Sequence, residues 1–188
     1  MDEDKIKSII DITIFAAECT QCELCKGRIK PVFARGNVNS RVIICGMCPG
    51  PDENQAGLPF VGVAGQTLDL IIKEAFGTTP VYITNLVKCF VQPGKSLKDE
   101  WINACLPFFI SQVGLIQPKA LILLGKDVCS HFTKSKSSMG SLRGTTLSYM
   151  GATALMTYHP SFLARGGGES HPEYNTVVKD FKKALSFF

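Results

Sequence analysis

The sequence predicts an α/β fold with a largely parallel sheet, and three observations carry that prediction. Short β-branched apolar runs stop at glycine or a polar loop, the stretches between them place apolar residues at helical intervals, and the two kinds of segment alternate. In such folds ligands sit where loops leave the carboxyl ends of strands. The polar motifs of this chain fall in those loops.

Ile6, Ile9, Ile10, Thr13 and Ile14 recur at helical spacing, so residues 4 to 17 are expected to form an amphipathic helix that delivers the chain to Cys19. Arg41-Val-Ile-Ile-Cys-Gly46 reads as a buried strand stopped by glycine, and the Pro- and Gly-rich stretch 47 to 62 as a long loop. Leu68, Ile71, Ile72 and Ala75 predict a helix over 64 to 76, and Val81-Tyr-Ile-Thr84 a second strand. Residues 98 to 114 carry Trp101, Ile102, Cys105, Phe108 and Phe109 at helical intervals, with a kink or break expected at Pro107. Ala120-Leu-Ile-Leu-Leu124, closed by Gly125, is the third strand. A short helix through Val128 and Phe132, a Ser/Lys-rich loop from Lys134 to Ser141, a hairpin-like pair near 144 to 157 and a last helix from Pro172 complete the chain. No internal repeat, linker or low-complexity tract divides it, so one domain over residues 1–188 is expected.

With 45% apolar and 19% charged residues, the composition is that of a folded domain, not of a disordered or fibrous segment. A chain of 188 residues buries roughly two thirds of its unfolded surface, so it needs no disulfide framework to fold. Twenty Lys and Arg against sixteen Asp and Glu leave a net charge of +4, a mild basic bias compatible with a polyanionic partner. The start, Met1 to Asp4, is acidic with no apolar stretch after it, and apolar runs such as Ala120 to Leu124 fall far short of a membrane span. A cytoplasmic, reducing location and a monomer are the expectation, and cysteines there stay thiols or bind metal.

Eight cysteines are then the feature to explain. Cys19-Thr-Gln-Cys22-Glu-Leu-Cys25 holds two overlapping CxxC pairs, a spacing that places two thiolates on one metal. Cys89, just after a strand, and Cys105, inside a helix, make a four-sulfur site arithmetically available. Small buried hydrophobes are the alternative, and a Cys₄ set serves zinc and iron–sulfur clusters alike. The run from Cys19 resembles the start of a ferredoxin motif but lacks its fourth cysteine three residues on. Cys45 and Cys129 are expected in the core, while Cys48, in a loop at a strand end, is either a tolerated small residue, the simpler reading, or one that lines a pocket.

Four segments carry a resemblance: Gly46-Met-Cys-Pro-Gly50, Gly57-Leu-Pro-Phe-Val-Gly-Val-Ala-Gly65, Tyr82-Ile-Thr-Asn-Leu-Val-Lys-Cys89 and His159-Pro-Ser-Phe-Leu163. In this order they resemble the family 4, iron–sulfur uracil-DNA glycosylases, from about Cys19 to the last helix. The resemblance implies a three-layer α/β/α domain around a central, largely parallel four-stranded sheet. It also implies a structural [4Fe–4S] cluster on Cys19, Cys22, Cys89 and Cys105, with Cys25 outside the set. The activity implied is hydrolysis of the N-glycosidic bond of uracil flipped out of DNA, without a covalent intermediate, leaving an abasic site.

Residue by residue, Phe60 matches the family's stacking platform and Asn85 its uracil reader, a carboxamide complementary to uracil N3–H and O4. His159 matches the donor near uracil O2, where charge grows as the base leaves. Glu53 matches an acidic position near the uracil C5 edge and the attacking water, with neighbouring Asp52 as its substitute. Gly46, Met47 and Cys48 fall in the loop that borders the base. Leu163 matches the apolar wedge that fills the gap in the base stack. Ser161, Arg143 and Arg165, with Lys88, Lys95 and Lys98, are candidate phosphate contacts. Gly166-Gly-Gly168 would allow a mobile loop beside the DNA.

Two departures bear on substrate. Family members usually carry an acidic residue where this chain has Met47, and the normally Arg-Pro-Pro-rich stretch after Cys89 reads Phe90-Val-Gln-Pro-Gly-Lys95. Either Glu53 covers the loss or the pocket serves another deaminated or modified base, as in defence against phages with modified genomes. A DNA-binding homologue with weakened catalysis is the non-enzymatic alternative, and joint retention of Phe60, Asn85 and His159 argues against it.

Overall fold

The computed structural model describes residues 3–188, so Met1 and Asp2 of the acidic start lie outside the described residues. The chain opens on α1 (Glu3–Ala17), passes a single 3₁₀ turn at Glu23–Lys26 and enters a short strand, β1 (Ala34–Gly36). Then come β2 (Val42–Gly46), α2 (Pro51–Ala56), α3 (Val63–Phe76), β3 (Tyr82–Asn85), α4 (Asp99–Ile116) and β4 (Ala120–Leu124). The rest is α5 (Lys126–Thr133), α6 (Met139–Leu142), β5 (Thr146–Tyr149), β6 (Ala152–Thr157), α7 (Pro160–Arg165) and α8 (Tyr174–Ala184). No described helix is long and apolar enough to cross a membrane.

The sheet has six strands, not the four expected, in the order β1-β3-β2-β4-β6-β5. The central four, β3, β2, β4 and β6, pair in parallel, while β1 and β5 add antiparallel edges. β1 is three residues, Ala-Arg-Gly, too short and too polar to show an alternating pattern.

Strand periodicity explains the two apolar layers. Val42 and Ile44 of β2, with Ala120, Ile122 and Leu124 of β4, pack with α3 and α8 residues on one face. Ile43, Cys45, Leu121 and Leu123 point the other way, into a cluster with α4 residues. Both faces are covered, which is why the central strands read as continuous apolar runs.

Two expected loops hold short helices and one expected break is absent, each for a local reason. The stretch 47 to 62 is not all loop: Pro51 takes the first helical position of α2, Glu53 reaches back to the Gly50 N–H, and Gly57 ends the helix at φ 78°. The Ser/Lys-rich loop likewise holds α6, capped by the Ser138 side chain. Pro107 neither breaks nor ends α4, which runs 18 residues. Pro107 and Asn103, whose carbonyl loses its partner, are both exposed, so water can satisfy that carbonyl while Trp101, Phe108, Phe109 and Val113 anchor the buried face.

Candidate active site

The four parallel strands end side by side, and the segments that follow β2, β3 and β6, with the turn before α3, build one cleft of about 370 Å³. Asn85 is the last residue of β3, His159 follows β6, and Phe60 lies between α2 and α3. All three line the cleft, with Cys48, Asp52, Glu53 and Ser161.

Each is held by its surroundings. Asn85 is 2% exposed, and its backbone oxygen accepts from the ammonium of buried Lys88. Its side-chain amide faces the cleft with no hydrogen-bond partner among the described residues. Phe60 has φ 55°, an uncommon conformation for a bulky residue that only surrounding contacts can enforce. Those contacts come from Arg35, which donates to the Pro59 carbonyl at 2.9 Å and the Phe60 carbonyl at 3.3 Å, and which also pairs with Asp69. Gly65 is required because any side chain there would collide with the Phe60 carbonyl. Gly46 is needed too: it does not line the cleft but backs it, and a Cβ would strike the Asn85 amide and the Phe60 ring.

His159 caps α7. Its Nδ1 accepts from the Ser161 N–H at 3.1 Å and lies 2.8 Å from the Ser161 hydroxyl. An accepting Nδ1 puts the imidazole proton on Nε2, making that atom a donor. Burial first, then the nearby Arg165 charge, push its pKa down to about 4, so the ring is neutral at pH 7. Its ring sits 5.7 Å from that of Phe60. Gly125, after β4, leaves the room that the His159 side chain occupies.

Glu53 is tied to the backbone. One carboxylate oxygen accepts from Val61 N–H at 2.8 Å and Gly62 N–H at 3.0 Å, the other from Gly50 N–H at 3.0 Å. Asp52 is exposed along the same wall with no partner among the described residues.

Several expected contacts are placed elsewhere. Met47 is buried in the core cluster and lines neighbouring cavities, not this cleft, because the chain alternates sides as it leaves β2. Leu163 is 0% exposed, packed with α3 and α8 residues, and cannot act as a wedge without leaving the core. The next residue toward the amino end, Phe162, is 40% exposed, its ring 5.1 Å from Tyr158 and 4.5 Å from His171. Lys88 is no phosphate contact: it is 2% exposed and donates to Thr84 at 2.8 Å and Gln112 at 2.7 Å. Arg143 grips Asp180 at 2.8 and 3.0 Å, and Lys98 pairs with Glu23 and Glu100. Arg165 and Lys95 are exposed and unpaired among the described residues.

On the far side of β3, Cys89 and Cys105 are buried, and Cys19 and Cys22 pack half-buried against the same cluster. Arg28 donates to Cys89 Sγ at 3.3 Å and the Lys88 N–H to Cys105 Sγ at 3.2 Å. Burial raises the thiol pKa of Cys22 and of Cys89, and of Cys105 to about 11. Cys89 also feels the charges of Cys22 and Cys19, Cys105 those of Cys89 and Cys22, and Cys22 those of Cys19 and Cys25. Among the described residues no three His, Cys, Asp or Glu groups lie close enough to hold a single metal ion. The Arg28 guanidinium at Cys89 and the Lys88 backbone N–H at Cys105 are N–H donors to sulfur of the kind that thiolates of a metal or cluster site require.

A family model described as the uracil DNA glycosylase superfamily matches residues 33–182. The chain is similar to the type-4 uracil-DNA glycosylase of Thermotoga maritima, 34% identical over 90% of this chain and 89% of that protein. It is also similar to those of Saccharolobus solfataricus, 36% identical over 88% and 80% of the two chains, and Pyrobaculum aerophilum, 32% over 88% and 86%.

Proposed function

The chain belongs to the uracil-DNA glycosylase superfamily, and we propose that it hydrolyses the N-glycosidic bond of uracil flipped out of DNA, leaving an abasic site for base excision repair. The observation that carries this reading is the unpartnered Asn85 amide in a cleft walled by Phe60 and His159. The amide's donor and its acceptor are both free to pair with a base offering N3–H and O4.

The residues divide the work. Phe60 stacks on the extruded base and Asn85 reads its edge. The neutral His159 donates from Nε2 to uracil O2, where negative charge gathers as the bond breaks. Ser161, at the start of α7, and Arg165 at its end meet the backbone phosphates. With Leu163 in the core, Phe162 is the apolar side chain that α7 offers to the base stack.

The same reading assigns a [4Fe–4S] cluster to Cys19, Cys22, Cys89 and Cys105. Bound there, it would tie the segment after α1 to the loop after β3 and to α4, a structural role outside the cleft.

The test is alkaline strand cleavage of labelled oligonucleotides carrying uracil, hypoxanthine, xanthine, thymine or 5-modified cytosine at one site. Cleavage at uracil is expected, reduced about 10²–10³-fold in His159→Ala and lost in Asn85→Ala. Cleavage confined to another base would overturn the uracil assignment, and DNA binding with no cleavage at any base would overturn the enzymatic one.

A further inference from the structure

We propose that Asp52, not Glu53, holds and deprotonates the water that attacks the sugar; the inference rests on the uracil-excising function proposed above. Hydrolysis needs an acceptor beside the departing base, and the amide, imidazole and carboxylates of the cleft can be taken in turn. Asn85 is spent on the base edge. His159 has its Nδ1 filled by Ser161 and its proton on Nε2, so in this state it donates and has no free lone pair to take a proton. Glu53 has three backbone N–H groups on its two oxygens, about three of its four acceptor sites. Those bonds close the segment between the start of α2 and the residue before α3, so Glu53 shapes the wall that Phe60 stands on.

Asp52 remains. It lines the cleft, its carboxylate has no partner among the described residues, and the bare Gly62 backbone opposite gives it room: a Cβ on Gly62 would collide with the carboxylate. Met47, at the position where an acid would otherwise be expected, points into the core and leaves no competing acceptor. In the step, the water oxygen bonds to C1′ as the C1′–N1 bond breaks. The bonding pair departs on uracil N1, the water proton passes to the Asp52 carboxylate, and Asp52 returns it to solvent.

The experiment is single-turnover excision from a uracil oligonucleotide by the wild type and by Asp52→Asn, Asp52→Glu and Glu53→Gln, with DNA affinity and thermal unfolding measured on each. Asp52→Asn should lose about 10²-fold or more in rate at unchanged affinity and Tm, and Asp52→Glu should recover part of it. Glu53→Gln should lower Tm and weaken binding together. A rate for Asp52→Asn within about threefold of wild type, or a loss confined to affinity, overturns the inference and leaves the function standing. A wild type that leaves uracil in place overturns both.

Discussion

His159 is kept neutral by burial and by the Arg165 charge, with a pKa near 4 where an exposed imidazole has about 6.5. As pH falls below 6.5 the unfolded chain takes up this proton first, so stability is lost from there down to about 4 and is intact above 6.5. The expected difference is on the order of 3 kcal/mol. Denaturant titrations at pH 7 and pH 4.5 should therefore show His159→Gln losing less stability over that interval than wild type. Equal losses would mean that the imidazole is not held neutral. That Asn85, Phe60 and His159 share one cleft was legible through the family resemblance of the motifs that carry them. The occupation of Glu53 was not, since a carboxylate bound to three backbone N–H groups is written the same as a free one.

At the scale of elements, α7 shows how helical phase decides which neighbour meets solvent. About 100° separates consecutive residues, so burying Leu163 turns Phe162 outward. Phe162→Ala is predicted to slow uracil excision from duplex DNA about tenfold or more while leaving single-stranded substrate nearly unaffected, since only a duplex has a stack to refill. Equal effects on the two substrates would remove the wedge role. The central strands and long helices could be read from apolar periodicity. β1, with three residues, and α2, hidden among prolines and glycines, could not, although Pro51, Glu53 and Gly57 are start and stop signals in hindsight.

Across the whole molecule, the proposed cysteine site would join three stretches of the sequence: 19–22, 89 and 105. Protein purified without oxygen should be coloured and hold about four irons per chain. Cys89→Ser should lose both and melt at lower temperature, while Cys25→Ser should keep them; colourless protein with zinc would refute the assignment. The cleft is assembled in the same non-local way, from the ends of β2, β3 and β6 and from the turn before α3. A polypeptide still emerging from the ribosome therefore carries Phe60 and Asn85 long before it has His159, which arrives only when β6 has closed against β4. A chain halted before β6 therefore lacks the imidazole that completes the wall of the cleft.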